Sequence, residues 1–360
     1  MSDAATAQSD CQRCSRTVED IRHCRNYQYV SIRFWCLDIT SGTILALLIV
    51  ALHDLLILNS VPLPWSLLAS MSILMVLQFM FSLLIGSITG SLEAMIPGTF
   101  VAMGAMIVAL MPMGQVSRLV AGATVGLLTS LGFVLMDAIL RRRPNGVASK
   151  LQTRSVSKPP SFTIPTPAWV YDLLEEAGAH RRACPQRRLF AQMGERVLFV
   201  AAGSGLNFAN FPPHRSIVAV DVNPEMLQRA HARAKTYDGI LVLMNADVQK
   251  LPFEDAAFDT IATASTFCSV PDPGQGLSEL YRVLKPGGNL LMFEHVRSRN
   301  AAVALNQDMM NFFMRFLGPS INRDTATTVR NAGFVIDRIG SAYLDVFLAI
   351  EGHKPARALR

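Results

Sequence analysis

Apolar residues dominate one stretch of this chain, and alternating strand and helix patterns dominate another. Between Ile39 and Leu140 the only charged residues are Asp54, Glu93, Arg118 and Asp137. Four apolar segments can be read there: Ile39–Leu58, Ser66–Gly90, Thr99–Val116 and Leu119–Leu140. Val61-Pro-Leu-Pro-Trp65 breaks the first from the second, and Ser91–Gly98 connects the second to the third. The second and fourth exceed the roughly 20 residues that cross a bilayer. Pro112 nearly cuts the third, which leaves three spans or a re-entrant hairpin as alternatives to four. Gly86-x-x-x-Gly90 and Gly122-x-x-x-Gly126 put small residues on one helix face, the pattern that lets two backbones approach. Beyond the apolar region, Pro144–Pro167 is polar, aperiodic and rich in Ser, Thr, Lys and Pro, as in an extended linker.

From Arg196 the pattern changes period. Short β-branched and apolar runs lie at Arg196–Ala201, Ser216–Val220, Ile240–Met244, Phe258–Ala264 and Asn289–Phe293. Between them Pro224–Thr236 and Gly274–Leu284 have helical spacing, the second stopped by Lys285-Pro-Gly-Gly288. Two late runs, Phe334–Ile339 and Tyr343–Ile350, form a terminal pair. Strands alternating with helices predict a mostly parallel sheet covered on both faces.

Composition agrees with two solvents. The 360 residues are 51% hydrophobic and 17% charged, against roughly 25% charged in soluble domains. The net charge of +6 is spread thinly. That suits an anionic membrane surface. No basic helix interleaved with aromatics points to nucleic acid. Five arginines from Arg13 to Arg33 precede the apolar region, and Arg141, Arg142 and Arg143 follow it, with only Arg118 between. An even number of spans then puts both termini on the cytoplasmic side of an inner membrane. Six cysteines are present and no apolar leader precedes them, so reduced thiols are the default. Cys11-x-x-Cys14 with His23 and Cys24 could offer four ligands, but no second Cys-x-x-Cys supports it, and we assign no metal. The many methionines of the apolar region read as adaptable packing. No feature sets an oligomeric state.

In such sheets ligands bind at the carboxyl ends of the strands. The small-residue turn Ala201-Ala-Gly-Ser-Gly205 follows the first strand. Asp221 ends the second strand, where a carboxylate can accept ribose hydroxyls, and Asp247 closes the third. The alternative for both acids is a turn or helix-capping role, for which Asp221-Val-Asn-Pro-Glu225 is suited.

These stretches carry a resemblance. Val197-LFVAAGSGLNF-Ala209, Ile217-VAVDVNPEML-Gln228, Asn245-ADVQKLPFEDAAFD-Thr260 and Leu280-YRVLKPGGNLLMFEH-Val296 resemble the class I S-adenosylmethionine-dependent methyltransferases, in particular the branch called type 11. Within it, Cys268-Ser-Val-Pro-Asp-Pro273 and Phe293-Glu-His-Val296 look most like the thiol-methyltransferase-like subgroup, and somewhat less like quinone and phospholipid methyltransferases. The resemblance implies an α/β Rossmann-like domain of seven strands over residues 168–360. It would follow a tail (1–36), an all-α transmembrane domain of about four helices (37–143) and the linker (144–167).

The implied cofactor is S-adenosyl-L-methionine. By position, Ala201, Gly203, Ser204 and Gly205 would line its methionine and ribose part, and Asp221 would hold the ribose. Asn223, Met226, Asp247 and Val248 would lie along the adenine side, and Ala264 would border the methyl group. Phe267, Cys268, Met310 and Phe313 would line the pocket of a small lipophilic acceptor, a thiol first. His295 would be the catalytic base, its alternative being a structural, hydrogen-bonded histidine. One departure stands out. The family has an acid in the first strand and a glycine two residues later, where this chain has Phe199 and Ala201; this leaves as the alternative a non-catalytic membrane transport or sensor protein with a degenerate cofactor-binding domain, possibly metal-linked.

Overall fold

The computed structural model describes residues 32–56, 91–109, 111, 113–141, 168–314 and 318–356. The second apolar segment, the linker, the N-terminal cysteine cluster and the side chain of Phe313 lie outside the described residues.

Three apolar helices come first: α1 (Ile32–Leu56), α2 (Ser91–Ala109) and α3 (Gln115–Arg141). Ser91–Gly98, expected as a connector, forms the first turns of α2, with Pro97 inside the helix. Among the described residues one helix, Gln115–Leu140, is long and apolar enough to cross a membrane, and Cys36–Ala51 and Ile96–Ala109 are shorter apolar stretches. The small-residue pattern on α3 makes a true contact. A Cβ at Gly126 would come within 2.8 Å of Ala46 Cβ and 2.9 Å of the Gly42 carbonyl. A Cβ at Gly122 would come within 2.8 Å of Val50 Cγ2. Close backbone approach replaces bulk as the packing device here.

The second half begins with α4 (Ala168–Phe190), a helix the sequence pattern did not announce. The sheet follows: β1 (Arg196–Val200), β2 (Ser216–Asp221), α5 (Pro224–Ala234), β3 (Ile240–Asn245), β4 (Phe258–Ala264), α6 (Pro273–Val283) and β5 (Leu284–His295). Next come α7 (Ala301–Met314), α8 (Thr325–Asn331), β6 (Val335–Ala342) and β7 (Phe347–His353). The strand order is β3-β2-β1-β4-β5-β7-β6. Six strands run in the same direction, and β7 alone runs antiparallel, between β5 and β6. This is the seven-stranded Rossmann-like sheet expected. β5 is longer than expected and takes in Lys285-Pro-Gly-Gly288, with a register shift opposite Phe258 and Thr260.

Phe199, at the family's acid position, is fully buried among Phe190, Phe208 and Phe211, with ring centroids 4.8–6.5 Å away. An unpaired charge in that cluster would be costly, so the departure is a core-packing choice.

The apolar helices dock on this sheet. Ile96 of α2 and Leu140 of α3 share a core with Phe293, Val303, Leu344 and Phe347. Tyr343, Leu344 and Asp345, the β6–β7 turn, are all left-handed (φ 40°, 52° and 58°) and all buried. The tip is held from both sides. Leu344 N donates to Asp137 Oδ1 of α3 (2.8 Å), and Ser298 Oγ donates to the Leu344 carbonyl (2.8 Å). Arg299 pairs with Asp345 at 3.1 Å. Asp137, one of the rare charges of the apolar region, is thus a docking group. Among the described residues Cys36 and Cys268 are free thiols.

Replacing Asp137 by Ala strands a buried N–H and should cost about 1–3 kcal/mol. Thermal unfolding of the detergent-solubilised chain will show a lower midpoint than for Val116→Ala on the exposed face of the same helix. Equal midpoints would mean that this bond does not hold the two parts together.

Candidate active site

The turn after β1 is built by backbone conformation. Ala201 is left-handed (φ 58°), as are Gly203 (φ 55°) and Gly205 (φ 86°). Ala202 N donates to the Val220 carbonyl (2.9 Å) and Gly205 N to the Ala202 carbonyl (3.0 Å), which tightens the turn against β2. The two glycines serve different needs. A Cβ at Gly205 would come within 2.8 Å of the Phe208 ring and 3.2 Å of Ala230 Cα, so close packing requires glycine there. A Cβ at Gly203 would meet nothing within 4 Å. Gly203 therefore faces open space, which is what a turn that cradles a cofactor needs. Ser204 is buried, and its carbonyl accepts from Arg233 Nη1 at 2.8 Å.

Asp221 stands across from this turn. Its Oδ2 accepts from Gly203 N (2.8 Å) and its Oδ1 from Asn223 N (2.8 Å). Each carboxylate oxygen keeps a further lone pair. Asn223 caps α5, its Oδ1 accepting from Glu225 N (2.9 Å) and Met226 N (3.4 Å). The capping role foreseen as an alternative for Asp221 thus falls to Asn223. Asn245, in register with Asp221, donates to the carbonyls of Asp221 (2.9 Å) and Val222 (3.0 Å). Met226 is half-buried on α5. Asp247 is exposed and bonded to Gln249, and Val248 beside it is buried.

The loop after β4 hangs on Glu294, a residue that is fully buried. Glu294 accepts from Thr263 Oγ1 (2.5 Å), Thr266 N (3.0 Å) and Phe267 N (3.0 Å). Burial raises its carboxyl to about 7, against the opposing hydrogen bonds. Ala264, the last residue of β4, and Cys268 on this loop are both buried. The ring of Phe267 lies wholly inside the core with Val248 and Val270, so its backbone, and not its ring, borders the loop. Cys268 donates to the Ser265 carbonyl (3.2 Å), and burial pushes its thiol up to about 11. Met310 is half-buried, with its sulfur 4.0 Å from Thr99 Oγ1 of α2.

His295 ends β5, opposite Phe347 of β7, and lies edge-on to that ring at 5.1 Å. It is buried, and neither ring nitrogen has a hydrogen-bond partner among the described residues. Burial, then the charge of Arg182, lowers its pKa to about 3. It is therefore a neutral imidazole at physiological pH. The hydrogen-bonded structural alternative does not apply.

Helix α4 supplies groups that sequence reasoning missed. Arg182 lies over the Phe347 ring at 4.9 Å and pairs with Glu175 at 2.6 Å. The hydroxyl of Tyr171 is pushed well above the usual range, by burial first and then by Glu175, Cys268 and Asp221. Asp172 anchors the helix on α5 through Arg229 (2.7 Å) and Arg233 (3.3 Å). Glu294 could have been found, being an acid at a strand end like Asp221; α4 offered no comparable signal.

Comparison with known proteins agrees with this geometry. Residues 198–292 match the profile described as a methyltransferase domain. The ubiquinone/menaquinone biosynthesis C-methyltransferase UbiE of Pseudomonas fluorescens is 35% identical over 138 residues, 36% of this chain and 54% of the relative. An uncharacterized protein of Mycobacterium bovis is 40% identical over 98 residues, 27% of this chain and 36% of its own length. The chain thus spans about half or less of the curated relatives it matches. A solved S-adenosylmethionine-dependent methyltransferase from Methanosarcina mazei is 20% identical, with a TM-score of 0.38 over 47% of this chain and 96% of that one. Residues 198–292 are therefore similar to methyltransferase domains, UbiE among them.

Two measurements probe this site. Ala201→Gly removes a left-handed alanine and should stabilise the chain by about 1 kcal/mol, seen as a higher unfolding midpoint. Because Glu294 has a folded pKa above its unfolded 4.5, its contribution to stability is complete below 4.5 and fades as pH rises through about 7. Glu294→Gln should lose that slope and gain on the parent protein above pH 7. Parallel stability curves would rule out a buried carboxyl of this kind.

Proposed function

We propose that the chain is a membrane-associated enzyme transferring a methyl group from S-adenosylmethionine to a small lipophilic acceptor. The observation that carries the reading is the left-handed turn Ala201–Gly205, open at Gly203 and faced by Asp221. The cofactor brings a methyl group already activated on sulfonium sulfur, so the protein's work is alignment and water exclusion. Gly203 and Gly205 let the backbone approach the methionine and ribose part. Asp221 accepts the ribose hydroxyls on its remaining lone pairs, and Met226, Asp247 and Val248 flank the adenine. Phe199 leaves the cofactor's amino end without its usual acid. The loop held by Glu294 borders the methyl group. His295, neutral and unpartnered, offers its ring nitrogens to the acceptor as hydrogen-bonding atoms, and takes up a proton only from an acidic nucleophile.

The relatives named for quinone C-methylation favour a quinol-type ring as the acceptor. A thiol is the second reading, favoured by the subgroup resemblance of Cys268-Ser-Val-Pro-Asp-Pro273. The long apolar helix Gln115–Leu140 supports membrane association. The arginines on either side of the apolar region favour an inner membrane with both termini cytoplasmic.

Calorimetry on the full chain in detergent tests the cofactor site. S-adenosylmethionine should bind, and Asp221→Ala should weaken it roughly 10- to 100-fold by removing charge-assisted hydrogen bonds. Unchanged affinity would move the ribose site elsewhere, and no binding by the folded parent would remove the enzyme reading. Labelled-methyl transfer to quinols, thiols and aminolipids then ranks the acceptors.

A further inference from the structure

Helix α7 buries Val303 and Ala304 at its start, but further along it turns its amides inward and an apolar stripe outward. Its polar residues Asn306, Gln307 and Asn311 are 3%, 0% and 7% exposed. Its apolar residues Leu305, Met309 and Phe312 are 61%, 53% and 56% exposed. These three follow one another at i, i+4 and i+7, so they form a single stripe. A helix on the surface of a water-soluble domain shows the opposite arrangement.

The inward polar face has a purpose. Gln307 Nε2 donates to the carbonyls of Val296 (2.8 Å) and Ile321 (2.9 Å), and its Oε1 accepts from Ser298 N (2.7 Å). Asn311 Oδ1 accepts from Ile321 N (2.8 Å). The helix is thereby tied to the segment that directly follows His295. Its outward stripe continues a larger apolar surface. Met310 meets Thr99 of α2, and Asn300, just before α7, donates to Met136 Sδ of α3 at 3.4 Å. Met136 lies in the last turns of α3, whose Leu128, Leu135 and Ile139 also face outward. So α7 sits level with the end of the helix long enough to cross a bilayer, where hydrocarbon gives way to headgroups.

We infer that α7 lies in the membrane interface, with Leu305, Met309 and Phe312 among the acyl chains, and forms the face by which a lipophilic acceptor reaches the site from the bilayer. This rests on the membrane association proposed above. An interfacial helix of this kind buries its apolar face at the headgroup–acyl boundary, and a water-insoluble acceptor dissolved there need not cross water.

Reconstituting the full chain in phosphatidylcholine–phosphatidylglycerol vesicles tests the inference. Leu305→Trp, Met309→Trp and Phe312→Trp are compared with Ile240→Trp, an equally apolar and exposed position on the edge strand β3. Lipids brominated on the acyl chain should quench the added α7 tryptophan fluorescence at least twofold more than that at 240. Equal quenching in vesicles that float with the protein overturns the inference and leaves membrane association standing. It is also the result if a second copy or residues 66–90 cover the stripe. Protein that does not float removes the reading beneath it. Leu305→Lys combined with Phe312→Lys should raise KM for a water-insoluble quinol about tenfold and leave S-adenosylmethionine affinity unchanged. An unaltered KM also counts against the entry face.

Discussion

One carboxylate holds together the two loops on which the site depends. Asp221 receives Gly203 N on one oxygen and Asn223 N on the other, joining the turn after β1 to the start of α5. Asn223 then caps that helix, and Asn245 bonds the carbonyls of Asp221 and Val222 from the neighbouring strand. The carboxyl ends of three strands are stitched at one point. The strained backbone of Ala201 persists because these bonds over-determine the turn around it. A ligand here meets a surface already shaped, so little ordering remains to be done on binding.

A second constraint is the union of an apolar helix group with a sheet domain. Small residues bring α1 and α3 into backbone contact, and α3 then uses a lone carboxylate, Asp137, to receive the tip of the β6–β7 hairpin. That hairpin leads into β7, which pairs with β5 at Phe347 and His295. The site strands and the apolar helices are therefore mechanically continuous, through Val346, whose carbonyl accepts from Val296 N, and through the shared core of Ile96, Leu140 and Phe347. The inverted polarity of α7 belongs to the same junction: its inward face serves the loop after β5 and its outward face extends the apolar surface.

Much of the sheet was legible because its signals are local. β-branched runs, the small-residue turn and acids at strand ends identify strands and ligand edge without reference to distant residues. Less was legible where the determinant lies far away in sequence. Phe199 reads as a defect of the cofactor turn, yet three aromatics from other elements make it a core residue. Phe267 reads as pocket lining, yet its ring is enclosed by β-sheet core. Helix α4 mixes charged and apolar residues without a clear apolar face, because it meets α5 through Asp172 and β7 through Arg182, which lies over Phe347.

The sequence by itself determined the apolar character of the first half, the Rossmann-like class of the second half and the glycine and aspartate positions at the ends of β1 and β2. Each follows from period, composition or a backbone requirement that neighbouring residues impose. Tertiary structure alone decided which polar groups stay unpartnered and which apolar ones stay exposed. His295 is a neutral, buried imidazole because the packing around it, Phe347 included, excludes water and the charge of Arg182 opposes its protonation. Leu305, Met309 and Phe312 face outward because Gln307 is drawn inward by Val296, Ser298 and Ile321, and Asn311 by Ile321, which lie off the helix at either end. Burial is a property of the whole packing, and no local pattern specifies it.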